Sequence, residues 1–352
     1  MLPIFGLHGA DSKSYLPRED HLDVMPMTRL PLIYKISLDL AASYNFHLTA
    51  RAYAIPGEYD GERYQCLYTL EGMPTALVAR VRQGELVLSF FSEAKHPPSK
   101  LLEVASHILG FHEDLEEFYT LVSRDPLLHP VSTTLRGMHM KATYSLWNGF
   151  LIALCQQNAS FRQGWTMYSK IVHLFGDAKT LEDGSTVHAP PTPNTLLTIG
   201  KEIRKAGTGY RAEAILNLAQ HFSEHPELQA PPREVSEKLL QQLKRVKGVG
   251  EYSSRVALLF SQRRYDLPPV DRWVARLLSE IYANKPLNLK EAEELSKQLW
   301  GSWCGLSIFF MTITLNAAII SKALEVAKTG RINPITDGDQ LSPLTLWRNL
   351  KL

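Results

Sequence analysis

Hydrophobic and polar positions alternate with two different periods along the chain. From about Arg29 the spacing is two. LIYKISLDL, RYQCLYTL (63–70), TALVARVRQ (75–83) and ELVLSFFS (85–92) read as strands, with Gly72 and Gly84 between them as turn residues. That pattern predicts a small antiparallel meander. SYNFHLTARAYAI, SKLLEVASHILGF and EDLEEFYTLV read as helices, the second ending near Gly110. Residues 29–135 are therefore expected to form one α+β domain. Beyond Met138 the strand signal disappears, and helices are predicted at 144–157, 161–175, 194–206, 209–222, 233–246, 251–262, 271–283, 289–300 and 303–328. Phe161, Trp165, Tyr168, Val172 and Phe175 recur at helical spacing and form a core stripe. The stretch 178–193, rich in turn residues, is expected to be an exposed excursion. Residues 1–28 read as an irregular N-terminal arm and 331–352 as an irregular C-terminal tail. The expected fold class is mainly α with an α+β N-terminal domain, the helical part spanning 136–330.

Composition narrows this picture without naming a partner. The 352 residues are 45% apolar, enough for two or three domain-sized units. Lys and Arg total 38 against 36 Asp and Glu, so a nucleic-acid surface would have to come from local clustering. Cys66, Cys155 and Cys304 are far apart, which argues against a disulfide frame, a structural zinc or a four-cysteine cluster. The longest near-apolar run, Leu306 to Ile320, contains Thr312, Thr314 and Asn316 and reads as a buried helix. The first twenty residues lack a basic n-region and a long apolar h-region, so no secretion signal and a cytoplasmic, nucleoid or nuclear location are expected. No HExxH arrangement occurs, so metal hydrolysis finds no support in the sequence.

One stretch, 239–278, organises the helical part. Leu239, Leu243 and Val246, with Val235, mark one helix face; Gly248-Val249-Gly250 then interrupts it, and a helix restarts at Glu251. This is the h-x-G-h-G shape of a helix–hairpin–helix element, expected over 235–262. Amides of the turn and of the next helix's N-terminus point outward together and can hold a phosphate. Such a contact positions a duplex without reading its bases. Lys244, Arg245, Lys247 and Arg255 supply local positive charge. Taken alone, the glycines also suit an ordinary αα-hairpin with a glycine cap. Asp271, after Pro268-Pro269-Val270 in the loop 263–275, suits a helix N-cap. The roles are compatible, because a carboxylate at a helix N-terminus is expected to stay ionised. An ionised carboxylate stabilises positive charge developing on a sugar.

KGVGEYSSRVALLF followed by PPVDRWVARLL resembles the helix–hairpin–helix–Gly/Pro/Asp superfamily of DNA glycosylases. LWNGFLIALCQQNASFRQGWTMYSKIVHLFG, APPTPNTL and IRKAGTGYRAEAILNLA resemble the preceding core helices. The N-terminal meander resembles the extra domain of the 3-methyladenine glycosylase II and 8-oxoguanine glycosylase branches. The resemblance implies a helical glycosylase fold plus a small antiparallel sheet domain. It implies Asp271 as the catalytic residue and Lys247, Gly248, Val249, Gly250 and Arg255 as contacts to the DNA backbone. Tyr252, Trp147 and Trp273 become base-pocket candidates. Gln156, Gln157 and Asn158 become a wedge that fills the hole left by an extruded base. No cofactor is implied, although the carbonyls of Lys244, Val246 and Val249 could ligate K⁺ or Na⁺ as in relatives.

Bifunctional relatives carry a lysine two residues after the second glycine, where this chain has Tyr252. The resemblance therefore implies a monomeric, monofunctional glycosylase that acts on double-stranded DNA holding a damaged base, with alkylated purines favoured. KAGTGYRA is similar to the 8-oxoguanine branch and keeps oxidised or deaminated purines such as 8-oxoguanine and hypoxanthine open. A hairpin DNA-binding protein without catalysis is the remaining alternative.

Overall fold

The computed structural model describes residues 29–53, 57–229 and 237–349. The N-terminal arm, Val235 and the start of the helix expected at 233–246 lie outside the described residues. Strands β1 (Leu32–Asp39), β2 (Glu58–Tyr59), β3 (Arg63–Leu70), β4 (Met73–Arg82) and β5 (Glu85–Ser92) form one antiparallel sheet in the order β1-β5-β4-β3-β2. The two tight turns are fixed by positive φ at both central residues, +52° and +83° at Glu71-Gly72 and +53° and +86° at Gln83-Gly84. That backbone matches the right-handed twist of paired strands.

The period-two alternation sorts side chains to opposite faces. Tyr64, Cys66, Leu77, Ala79, Leu88 and Phe90 pack under helix α2 (Pro98–Leu109) and the short helix α1 (Phe46–Arg51). Leu67, Ala76, Val78 and Phe91 face the other way. Here the structure departs from the sequence reading. The excursion at 178–193 is a hairpin, β6 (Asp177–Thr180) and β7 (Thr186–Ala189). Its Leu181 and Val187 are fully buried against that second sheet face. Two apolar side chains in a polar stretch leave too little periodicity to announce a strand pair.

Helix α3 (Glu116–Val122) leads into the helical body of α4 (Leu146–Gln156), α5 (Phe161–Phe175), α6 (Pro193–Ile199), α7 (Arg211–Glu224), α8 (Glu237–Lys244), α9 (Glu251–Gln262), α10 (Arg272–Leu277), α11 (Leu289–Trp300), α12 (Cys304–Thr314) and α13 (Ile320–Thr329). Helix α4 is its axis, buried at every residue from Leu146 to Cys155. It runs antiparallel to α9. The Thr143 N–H donates to the Phe260 carbonyl at 2.7 Å near one end, and Gln157 Nε2 donates to the Gly248 carbonyl at 2.9 Å at the other. Gly149 permits the close approach, because a Cβ there would lie 2.7 Å from the Ala257 carbonyl oxygen. The single helix expected at 303–328 is broken where Asn316 and Ala317 take φ of +56° and +49°.

Sheet domain and helical body are joined by a buried ionic node. Arg263 donates to Glu113 Oε2 at 2.8 Å, to the Met140 carbonyl at 2.7 Å and to the His107 carbonyl at 2.8 Å. Burial alone would raise the Glu113 pKa, yet the guanidinium holds it below its usual value. The tail is irregular apart from a short helix α14 (Leu346–Asn349), but it is not loose. Leu344 and Leu346 are buried, Pro343 accepts from the Tyr53 N–H at 2.7 Å, and Trp347 meets Tyr59 edge-on at 5.1 Å. Among the described residues no helix is long and apolar enough to cross a membrane.

Candidate active site

The two hairpin glycines have different reasons to be glycine. Gly248 sits at φ +95°, and a Cβ there would lie 2.3 Å from the Ala214 Cβ, so the fold itself demands it. Gly250 has extended φ and ψ of −112° and −175° and caps α9 without a side-chain bond. A Cβ on Gly250 would meet nothing within 4 Å. Among the described residues the space beside Gly250 is thus open, and the first N–H groups of α9 have no side-chain cap, with the positive end of the helix dipole behind them. Val249, which the resemblance placed on the DNA backbone, has its side chain buried in the core; only its main chain can serve there. Its N–H donates to the Val246 carbonyl at 2.9 Å. The Val246 carbonyl is therefore already engaged in one hydrogen bond within the turn.

The basic residues divide. Lys247 is 80% exposed and pairs at the surface with Glu213, at 2.6 Å. Lys244 pairs with Glu251 at 2.6 Å. Arg255, expected to face phosphate, is turned inward. It donates to Glu251 Oε1 at 2.9 Å, to the Pro268 carbonyl at 3.0 Å and to Glu293 Oε1 at 2.9 Å, with only 14% of its side chain exposed. It ties the hairpin helix to the loop that leads to Asp271. Its distant partner, Glu293, gave no sign of this in the sequence.

Asp271 caps α10. Its Oδ1 accepts from the Val274 N–H at 2.8 Å, with the residue in extended conformation. Burial raises its pKa above the usual carboxylate value, against the lowering effect of the Val274 and Trp273 N–H groups. Desolvation thus outweighs the cap in setting the direction of the shift. Tyr252, on the first turn of α9, is half-buried, and burial together with the Asp271 carboxylate raises its hydroxyl pKa. Trp273 is half-buried on α10 and donates to the Ala318 carbonyl at 2.9 Å. Trp147 does not join this group. It is buried at the start of α4, donating to the Pro191 carbonyl at 2.9 Å. That position is an 11-residue helix, roughly 16 Å, away from the hairpin end.

The wedge residues also separate. Gln157 is committed to the hairpin through the Gly248 carbonyl and Ser253 Oγ at 2.7 Å. Gln156 packs into α5, where a Cβ on Gly164 would lie 2.3 Å from its Oε1. Asn158 is exposed at φ +44° and lies 3.4 Å from the Tyr210 hydroxyl. Tyr210 is 63% exposed beneath the Arg211 guanidinium, and Arg211 Nε anchors to the Gln157 carbonyl at 2.8 Å. The sequence reading did not single out Tyr210, although a lone aromatic between Gly209 and an arginine was the available signal.

A second constellation was missed altogether. A cavity of about 1080 Å³ opens between the sheet domain and the start of α4, with Tyr68, Tyr144, Asn148, Tyr168 and Trp147 on its walls. Asp271, Tyr252 and Trp273 are not among its lining residues. At one side Glu58, His173 and His188 place one ligand atom each within 4.8 Å of the others. These three come from β2, α5 and β7, so no sequence motif could have joined them.

A glycine hairpin without a side-chain cap, linked to an aspartate capping the next helix, is the arrangement that the resemblance to the helix–hairpin–helix–Gly/Pro/Asp superfamily implied. Residues 151–303 match the family described as "HhH-GPD superfamily base excision DNA repair protein". Among curated proteins, the "Probable N-glycosylase/DNA lyase" of Methanothermobacter thermautotrophicus is 22% identical over 255 residues, 67% of this chain and 80% of that one. The fold is that of the 3-methyladenine DNA glycosylase of Archaeoglobus fulgidus, with a TM-score of 0.64, 21% identity, and coverage of 78% of this chain and 97% of that one. The Clostridium acetobutylicum 8-oxoguanine glycosylase/lyase also matches, with a TM-score of 0.59, 16% identity, and coverage of 82% and 100%.

Proposed function

We propose that the protein is a monofunctional DNA glycosylase that acts as a monomer on double-stranded DNA containing a damaged purine. The observation that carries this reading is the coupling of two features by one side chain. Arg255 holds the uncapped N-terminus of α9 and the Pro268 carbonyl of the Asp271 loop in one rigid unit. A phosphate held at the first would fix a sugar near the second.

The chemistry follows from the groups present. Breaking an N-glycosidic bond leaves positive charge on the sugar, and the ionised Asp271 stabilises it. Water completes the reaction, with Asp271 placed to orient it. Tyr252 stands where bifunctional relatives have a lysine, so no amine forms a Schiff base with the sugar. Lys247, the exposed amine of the hairpin, pairs with Glu213. Alkylated purines suit this site, because a cationic base departs without a dedicated acid. Tyr210 and Asn158 form the exposed tip that fills the gap left by the extruded base. A monovalent cation would be held by the carbonyls of Lys244, Val246 and Val249 and would add positive charge beside the phosphate.

Tyr210 within KAGTGYRA favours a second substrate class, oxidised or deaminated purines, on the same site. A panel of duplexes with single lesions, assayed with and without alkali, tests both. Base release that produces strand breaks only after alkali supports a monofunctional enzyme. Breaks without alkali sink the reading of Tyr252, and no release from any lesion sinks the enzyme reading.

A further inference from the structure

We infer that Glu58, His173 and His188 form a binding site for a divalent transition metal, zinc above all, whose remaining coordination position opens into the large cavity. This site lies apart from the glycosylase chemistry, since no residue proposed for that reaction except the corrected Trp147 lines the cavity.

The donor atoms are already prepared. His173 Nδ1 lies 2.9 Å from the Ser169 carbonyl, an acceptor, so in the neutral ring the proton sits on Nδ1 and the lone pair on Nε2. That Nε2 faces Glu58 Oε1 at 3.9 Å, too long for a hydrogen bond. A ring fixed by a backbone carbonyl through its other nitrogen is the usual arrangement behind a metal-bound histidine. Glu58 is oriented in the same way. Its Oε2 accepts from Gln65 Nε2 at 2.9 Å, and Gln65 is itself anchored on the Thr186 carbonyl at 2.9 Å. Oε1 is left to face both histidines. It accepts from His188 Nδ1 at 2.7 Å.

All three donor atoms lie within 4.8 Å of one another, and the two edges at Glu58 lie on either side of the zinc spacing. Tetrahedral zinc with nitrogen and oxygen ligands has ligand–ligand edges of about 3.3 Å. The 2.7 Å edge must open and the 3.9 Å edge must close by similar amounts. A zinc ion would take the place of the proton between Glu58 and His188. Three protein ligands leave a fourth position exchangeable. The cavity it faces holds a second sign of an occupant. Among the described residues the Tyr68 and Tyr144 hydroxyls are buried without a hydrogen-bond partner, and Tyr68 is only 8% exposed.

The test uses the full chain, stripped with chelator and titrated with Zn²⁺ by calorimetry. One ion per chain is expected for the wild type, with an affinity reduced by at least roughly tenfold in H173A/H188A. The other close histidine pair, His221 and His225, is controlled by H221A, which should bind like wild type. Co²⁺ in place of Zn²⁺ should give visible absorption that azide shifts, as an exchangeable position requires. Where H173A/H188A does not fold, E58Q replaces it, and the zinc-induced rise in Tm seen in wild type should vanish in E58Q. Undiminished binding in the ligand variants, or loss in H221A instead, would overturn the proposal.

Discussion

The α4–α9 pair separates two regions that are alike in chemistry and opposite in construction. At the hairpin end, a carboxylate, a tyrosine and a row of helix amides come from 24 consecutive positions, Gly248 to Asp271. At the cavity end, a carboxylate and two histidines come from positions 58, 173 and 188. The first is built by local capping rules and stays open to solvent at Gly250. The second exists only after the β6–β7 hairpin has folded back onto the sheet. Local rules give a site that can be read in order along the chain, whereas packing gives one that cannot.

The comparison is broken most severely by D271N. If the hairpin end is the reactive one, base release should fall on the order of 10²–10³-fold, while affinity for a duplex with an abasic-site mimic stays close to wild type. Equal loss of both would reduce Asp271 to a structural cap. The ionised form is the working one, and burial raises the Asp271 pKa. The rate should therefore fall as pH drops through that raised value, placing the acid limb of the profile above that of an ordinary aspartate. A limb at the ordinary position would count against the burial.

The two glycines give the next contrast. G248A forces a left-handed backbone on alanine and drives a methyl into Ala214, so it should lower stability by about 2–4 kcal/mol in urea denaturation. G250A should cost about 1 kcal/mol or less. It should nevertheless weaken salt-dependent duplex binding roughly tenfold, because the methyl would occupy the space before the α9 amides. If G250A binds DNA like wild type, that space is not the phosphate site.

The sheet domain offers a contrast through Lys141, which packs over the Tyr64 ring and donates to the Ala50 carbonyl at 2.5 Å. Burial pushes its pKa down to about 7. Below that pH the fold must carry a buried charge, whereas between that value and the unfolded pKa only the unfolded chain binds the proton. Wild-type stability should therefore rise with pH across that window. K141M should be the more stable chain at pH 6, by about 1–3 kcal/mol, and its advantage should shrink towards pH 10. A gap that does not change with pH would mean that the amine stays charged.

Much of this was legible in the sequence, and the exceptions have a common cause. β3 and β5 follow from alternation bounded by Gly72 and Gly84, and α5, α9 and α11 from helical periodicity, with the glycine turn before α9. What failed depended on partners distant in the chain. The charge on Arg255 was visible, but not that Glu293 would claim it. The aromatic character of Trp147 said nothing about which end of α4 carries which cavity. The excursion at 178–193 looked like solvent-facing loop because only Leu181 and Val187 anchor it.

Arg255 has one more effect, on mechanical compliance. Its bonds to Glu251, Pro268 and Glu293 make the span from the α9 amides to the Asp271 carboxylate a fixed gauge length. A gauge that does not stretch leaves the bending to the other partner. A stiff, regular duplex would have to deform to present both a phosphate and a sugar at that separation, and a base pair already weakened by damage deforms at lower cost. On the proposed glycosylase reading, the protein would test how readily DNA yields before it tests which base it holds.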